Sequence, residues 1–560
     1  MDNQTETGRN VPSAIDVAVI GAGFAGLYAH YKFREMGLTA FGFEAASDVG
    51  GTWFWNRYPG ARCDVESLDY SYSFSPELLA EWQWSERFAT QSEILQYANH
   101  VADRFDLRRD YAFNTRVVDC TFDEAANQWV VRTDRGDEMR ARYLLSAVGS
   151  LSLPKAPEIA GLEDYAGRWV QTGSWPHEPV DVAGKRVAVI GTGSSGIQSI
   201  PLLAQEAAQV TVFQRTPNFS VPAHNGPIDP VYEAEVRADY VEHHKRNRMT
   251  KGGVPPRINT GKSAMEVSEE DRRARFEQAW QFGTFALQSV FNDISSNPES
   301  NAAATAFVHD KIRGMVNDPA LAEKLLPKTF PFGTKRLCLD TDYYAAFNRD
   351  NVDLVDISVE SNERITKAGI KTSVREYRFD LIVFATGFDA VTGPLFALGI
   401  TGTNGVTLKD AWKDGPQSYL GLMVTGFPNL FTVNGPSSPS VLANMLQTIE
   451  HHVDWISDCI GHMEKNHLVR IEADEAAQVA WAHEVANMAE KTLYPKANSW
   501  YMGANVPGKP RVFLIFIGGL DRYVERCDRI VSEGYTGITF TPALAALAPD
   551  QPQIVSTGEY

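Results

Sequence analysis

Cysteine is scarce and scattered: five in 560 residues, at Cys63, Cys120, Cys338, Cys459 and Cys527, with no CxxC pair. This excludes a disulfide framework and a cysteine-based zinc site, and it points to a reducing compartment. Basic charge is in deficit. Lys and Arg number 52 against 70 Asp and Glu, a formal net charge of −18, which excludes the basic stripe that nucleic-acid binding requires. Long apolar runs are missing too, and stretches such as "VFLIFIGG" fall far short of a membrane span. The first residues, "MDNQTETGRNVPSAID", are polar and acidic, unlike a signal peptide, so the expectation is a cytoplasmic protein. No metal is expected either. His243–His244 and His451–His452 are adjacent pairs, which on a helix point in different directions and cannot chelate as an i,i+4 pair would.

What is present is an ordinary globular composition, 44% hydrophobic and 22% charged, in a chain too long for one hydrophobic core. Two glycine-rich turns organise it. In "IDVAVIGAGFAGLYAHYKFREMG", Gly21, Gly23 and Gly26 complete GxGxxG directly after an apolar strand. The first glycine allows the turn, the second lets backbone approach a pyrophosphate, and the third lets helix pack on strand. The helix N-terminus then offers free N–H groups to the phosphates. The next strand ends in Glu44, a carboxylate suited to both ribose hydroxyls of a nucleotide without a 2′-phosphate.

The second copy lies in "GKRVAVIGTGSSGIQSIPLLAQEAAQVTVFQRTP". Gly191, Thr192, Gly193, Ser194, Ser195 and Gly196 form its turn. After its second strand stand Gln214, Arg215 and Thr216 rather than an acid, which favours a 2′-phosphate. Two turns with different sugar preferences imply two dinucleotides: FAD at the first and NADPH at the second. The predicted fold class is α/β, with two Rossmann-like dinucleotide-binding domains and a helical insert in the second. The expected segments are a disordered tail over 1–15, FAD domain over 16–150, linker and NADPH domain over 151–228, helical insert over 229–328, NADPH domain again over 329–384, FAD domain again over 385–540, and a tail over 541–560. "DPVYEAEVRADYVEHHKRNR" and "SEEDRRARFEQAWQFG" carry the helix-start signals of that insert. "YRFDLIVFATGFDA" reads as one late strand.

Ahead of the second turn, "YAGRWVQTGSWPHE" concentrates costly aromatic surface in a linker. Tyr165, Gly167, Gln171, Trp175 and Pro176 in it closely resemble FxGxxxHxxxWP, the signature of type I Baeyer–Villiger monooxygenases, with tyrosine for phenylalanine and glutamine for histidine. The resemblance spans about residues 15–540 and extends to "GGTWFWNRYPGARCDVESLDYSYSFS", "PFGTKRLCLD", "GFPNLF" and "NSWYMGANVPGKPRVF", in the manner of the phenylacetone and steroid enzymes of that family. It implies an NADPH- and O2-dependent enzyme that inserts one oxygen atom beside a ketone carbonyl through a flavin C4a-peroxide, giving an ester or lactone from bulky aryl or cyclic ketones.

The resemblance also assigns residues. Arg336 is the catalytic cation that keeps the peroxide anionic, Asp64 orients it, and Lys335 contacts the NADPH phosphate. Gly51, Thr52, Trp53 and Tyr58 cover the flavin, Trp500 belongs to a loop that folds over NADP, and Ser440, Val441, Leu442 and Met445 line the substrate pocket. The linker aromatics become a hinge packing one domain on the other. Gln171 cannot carry a charge or shuttle a proton, so an uncoupled NADPH oxidase stands as one alternative and an N- or S-oxygenating flavin monooxygenase as another. Monomer and homodimer are both left open.

Overall fold

The computed structural model describes residues 10–256 and 258–543. Of the expected tails, 1–9 and 544–560 lie outside the described residues. The rest of both tails needs correction. A strand already begins at Ala14, and the strand Ile538–Pro542 pairs antiparallel with Leu468–Ala473. Alternating apolar residues in both segments find partners, which a tail would leave exposed.

Two sheets carry the molecule. The first has eight strands. From one edge they run Ile400–Thr401, Val117–Asp123, Gln128–Thr133, Glu138–Ser146, Ala14–Ile20, Ala40–Phe43 and Tyr111–Ala112, with Leu430–Thr432 also pairing to Glu138–Ser146. Val17, Ala18 and Val19 have no exposed surface, as a strand covered on both faces requires. The second sheet is parallel throughout: Val352–Asp356, Gln209–Gln214, Arg186–Ile190, Leu381–Phe384 and Arg168–Gln171. Each sheet's central strand feeds a glycine turn and a helix, Phe24–Glu35 in the first and Ser194–Glu206 in the second.

Three differences from the sequence reading have clear causes. The late strand is two. Glu376–Arg378 joins a small antiparallel sheet, the chain breaks at Phe379–Asp380, and only Leu381–Phe384 enters the parallel sheet. The second sheet also begins before Lys185, because Arg168–Gln171 is its edge strand.

The insert divides between the two units. Helix Pro230–Ala238 starts on Asp229, whose carboxylate accepts the Val231 N–H at 2.9 Å, and helix Tyr240–Arg248 follows. Val236 and Tyr240 bury in the core of the first unit, and the Tyr240 hydroxyl donates to the Leu68 carbonyl at 2.8 Å. Helices Glu269–Phe282 and Pro298–Met315 instead bury Phe276, Trp280 and Phe307 in the core of the second unit. Among the described residues no helix is long and apolar enough to cross a membrane.

Candidate active site

A cavity of about 820 Å³ runs between the two sheets and meets both glycine turns. At the first turn, Gly21 has φ +109°, a backbone state that side-chain-bearing residues rarely adopt. A Cβ on Gly26 would sit 1.9 Å from the Gly21 carbonyl oxygen, so helix and turn touch directly. At the second turn, a Cβ on Gly193 would meet nothing within 4 Å, although Gly193 lines the cavity. Packing therefore does not demand a glycine at 193. Close approach by a ligand would.

Glu44 is buried at the end of its strand. One carboxylate oxygen accepts from the Ala22 N–H and the other from the Ala46 N–H, each at 2.7 Å. Burial pushes its carboxyl upward, and those two bonds work against the shift. Each oxygen keeps a second lone pair, so a ribose diol still fits.

Gly51, Thr52, Trp53 and Tyr58 also line the cavity, with Gly51 packed against Gly23 of this turn. The Trp53 indole N–H donates to the Tyr70 hydroxyl at 3.1 Å, and the Tyr58 hydroxyl reaches across to Gln198 Oε1 at 2.7 Å. Thr192, Ser194 and Ser195 line the far side. Ser195 pairs with the Thr172 hydroxyl at 2.9 Å and Ser194 with Cys338 Sγ at 3.2 Å. Gly196 lies behind the turn, where its Cβ would meet the Gly191 carbonyl oxygen at 2.3 Å.

Arg215, Thr216 and Lys335 line the cavity together with the second glycine turn. Burial, and then the neighbouring Arg215 cation, push the Lys335 ammonium below the usual lysine range; its Nζ lies 4.4 Å from the Phe330 ring centroid. Among the described residues neither cation forms an ion pair with a carboxylate, a costly arrangement without an anion between them. These features fit a dinucleotide phosphate.

Arg336 sits between the two turns. Its Nε donates to Asp64 Oδ2 at 3.0 Å, Nη2 donates to the same oxygen, and Nη1 donates to the Val441 carbonyl at 2.7 Å. Its guanidinium carbon lies 5.2 Å from the Phe285 ring centroid. Burial opposes the charge, but the Asp64 carboxylate outweighs it and holds the guanidinium above its ordinary range. Of five N–H donors, these three bonds leave two on the Nη atoms, and the Tyr501 side chain, which also hydrogen-bonds the guanidinium, takes one of them.

Val441, Met445 and Trp500 line the cavity. Ser440 and Leu442 depart from the expected pocket. Ser440 is buried with its hydroxyl 3.1 Å from Ser150 Oγ, and Leu442 packs in a neighbouring cluster with Tyr494 and Tyr501.

The linker signature lies off the cavity. Tyr165 packs on the second sheet and donates to the Phe379 carbonyl at 3.1 Å, Gly167 gives its ring room, and Trp175 buries in the second unit's core ahead of Pro176. The contacts toward 153–155 come from Gln171 and Gly173, while the ring of His177 at the end of the linker packs on Phe54 of the first unit, with centroids 4.6 Å apart. The Gln171 amide donates to the Lys155 carbonyl, and a Cβ on Gly173 would touch Pro154 and Phe388.

Residues that sequence reading did not single out are Ser150, Lys155, Tyr501 and Asn505. Ser150 follows the strand "RYLLSAVGS" and Asn505 lies within a motif already noted, but neither carries a chemical signature of its own.

Residues 18–278 match the family model described as pyridine nucleotide-disulphide oxidoreductase. A Baeyer–Villiger monooxygenase from Pseudooceanicola batsensis is 42% identical over 96% of this chain and 98% of its own length. A phenazine N-monooxygenase from Lysobacter antibioticus is 40% identical over 94% of this chain and 97% of its own. A solved structure of oxidised steroid monooxygenase bound to NADP superposes with a TM-score of 0.90 at 51% identity, over 95% of this chain and all of that one.

Proposed function

We propose the following reading from one premise: the chain belongs to the flavin-dependent Baeyer–Villiger monooxygenases. It uses FAD and NADPH to convert a ketone, O2, NADPH and a proton into an ester or lactone, NADP+ and water. The bound FAD, reduced by NADPH, supplies the activated oxygen for that insertion. The residues hold and aim the reactants.

The Gly21–Gly23 turn and the N-terminus of helix Phe24–Glu35 hold the FAD pyrophosphate, and Glu44 takes the ribose hydroxyls with its remaining lone pairs. Gly51, Thr52, Trp53 and Tyr58 cover the flavin. The Gly191–Ser195 turn holds the NADPH pyrophosphate, and Arg215, Thr216 and Lys335 hold its 2′-phosphate. Trp500 closes over the nicotinamide nucleotide, and Val441 and Met445 contact the ketone.

Arg336 carries the chemistry. A guanidinium stays protonated at any working pH, so it offers a fixed positive charge to oxygen that gains negative charge as the carbonyl is attacked. Asp64 keeps the fork from swinging to solvent. The observation that carries this reading is the Arg336–Asp64 pair inside a cavity shared by both dinucleotide turns, with an N–H donor to spare. The steroid enzyme's similarity favours a bulky aryl or cyclic ketone.

A second reading, heteroatom oxygenation, is favoured by the phenazine N-monooxygenase among the relatives. One experiment separates the readings. Purified protein is offered aryl and cyclic ketones, a sulfide and an N-heteroaromatic, and ester, oxide and hydrogen peroxide are measured against NADPH consumed. Ester from ketones, lost in Arg336→Ala while FAD stays bound, supports the proposal. Oxide without ester supports the second reading, peroxide alone supports the uncoupled oxidase, and undiminished ester from Arg336→Ala removes the assigned role.

A further inference from the structure

The segment that touches Arg336 is strained. Asn434, Ser437 and Ser440 have φ of +56°, +67° and +43°, and all three are buried. Such backbone is unfavourable for a residue with a side chain, least so for asparagine, and persists where its surroundings hold it.

The supports are visible. The Asn434 N–H donates to His452 Nδ1 at 3.1 Å. The Trp481 indole N–H donates to the Ser437 carbonyl at 3.2 Å, and the Ser437 N–H donates to the Leu514 carbonyl at 2.8 Å. Ser440 is held by its carbonyl, which accepts the Ala443 N–H at 3.1 Å, and by its side chain. Its hydroxyl lies 3.1 Å from Ser150 Oγ, and the Ser150 hydroxyl donates to the Asn434 carbonyl at 3.4 Å. With the Ser150 proton used there, Ser440 is the donor of the pair. Ser150 itself is anchored through its carbonyl, which accepts the Val391 N–H at 2.7 Å.

The residue after Ser440 is Val441, whose carbonyl takes Arg336 Nη1. Asp64 holds the Nε–Nη2 edge of the guanidinium through one oxygen, which leaves the group free to pivot about that contact. The Val441 carbonyl is the second fixed point that sets its plane. If Ser440 relaxed to a negative φ, the peptide carrying that carbonyl would turn with it.

We propose that Ser150 and Ser440 are positioning residues for oxygen transfer. Their hydroxyl pair holds Ser440 in its left-handed conformation, keeps the Val441 carbonyl on Arg336 Nη1, and so fixes the direction of the Nη hydrogen that Asp64, Val441 and Tyr501 leave untaken. The proposal rests on the role given to Arg336 above.

The test compares Ser150→Ala, Ser440→Ala and Ser150→Thr with the unaltered holoenzyme and Arg336→Ala. Ester formed per NADPH consumed is measured at saturating ketone, and the Ser150→Ala holoenzyme is crystallised. Losing one buried hydrogen bond that acts on the oxygen-transfer step corresponds to about tenfold. Both alanine variants are expected to lower the ester-to-NADPH ratio about tenfold, with hydrogen peroxide making up the difference. Ser150→Thr, which keeps the hydroxyl, is expected to restore the ratio, and the Ser150→Ala crystal is expected to show Nη1 parted from the Val441 carbonyl. An unchanged ratio overturns the proposal. So does a raised KM for the ketone with the ratio intact, or a lost ratio with the Nη1–Val441 bond still in place. Ester from Arg336→Ala would instead overturn the underlying reading, whatever the serines do.

Discussion

Arg215 and Lys335 are two cations set side by side without a carboxylate among the described residues to neutralise them, and charge of that kind is retained where an anion will complete it. If the anion is the 2′-phosphate, Arg215→Ala removes a charge-assisted contact worth about 1.5–3 kcal/mol. The expected outcome is a KM for NADPH raised about 10- to 100-fold with that for NADH little changed; equal loss for both nucleotides would remove the phosphate assignment. A different residue reports on pH. Burial pushes the Asp340 carboxyl up to about 7, although it accepts the Tyr343 N–H at 2.6 Å. The folded state therefore holds a proton that the unfolded chain releases near the ordinary value of 3.8. Stability from this group is full below that value, falls as pH rises toward 7, and is flat beyond. Asp340→Asn removes the dependence, so the thermal midpoint of the variant minus that of the parent should climb between pH 4 and 7 and then level; a difference independent of pH would contradict the buried, protonated carboxyl. Of these residues only Arg215 and Lys335 were legible in advance, because they stand at motif positions. Asp340 is ordinary in sequence, and its environment is assembled by packing.

The glycine turns show two reasons for the same residue at the level of the element. Gly26 is glycine because strand, turn and helix pack there without space: its missing Cβ would also fall 2.6 Å from the Tyr111 hydroxyl, which donates to the Gly21 carbonyl at 3.1 Å. Gly193 faces open cavity. Gly26→Ala should thus lower the thermal midpoint and release FAD, since relieving the overlap means moving helix Phe24–Glu35 and overpacking costs typically 1–3 kcal/mol. Gly193→Ala should leave the midpoint in place and raise the KM for NADPH. A large loss of stability from the second variant would show that the turn is glycine for internal packing after all. Both strand–turn–helix units could be read from the sequence because period, spacing and turn chemistry agree locally. The insert could not be placed, because Tyr240 looks like any apolar helix residue and only the Leu68 carbonyl, far away in the chain, decides which unit it joins. The pocket loop was legible as a motif, but the left-handed Ser440 that turns its side chain away from the cavity was not.

At the scale of the molecule, the two units are joined by more than chain connections, and two lysines make the join. Lys155, just after the first unit, donates from Nζ to the Asn505 carbonyl at 2.6 Å, while its own carbonyl takes the Gln171 amide from the second sheet's edge strand. Lys509 donates from Nζ to Asp389 Oδ1 at 2.6 Å and to the Ala390 carbonyl at 2.8 Å, on the strand-to-sheet return. The loop that carries Trp500 is therefore pinned on its C-terminal side, at Asn505 and Lys509, to the segments through which the two units connect. Gln171 keeps this link as a neutral donor, so the link does not depend on a titrating group at that position. The Asp389–Lys509 pair is mostly shielded, with side chains 29% and 10% exposed, so removing the lysine leaves a carboxylate short of its partner as well as freeing the loop. Lys155→Met loosens the pin at Asn505, leaving only the Asn505 amide on the Phe388 carbonyl at 2.8 Å, without stranding a charge, because a carbonyl can take water instead. If the pinned loop holds NADPH in place, each variant should raise the KM for NADPH several-fold and make the chain between 503 and 509 newly open to proteolysis. Lys155→Met should do so with an unchanged thermal midpoint, and Lys509→Met with a lowered one. NADP+ should restore protection in both by supplying the contacts that the lysines gave up. Variants that stay protease-resistant with an unaltered KM would mean that the loop is held by its own packing, through Tyr501 against Tyr494 and Leu514, and that the lysines only decorate it.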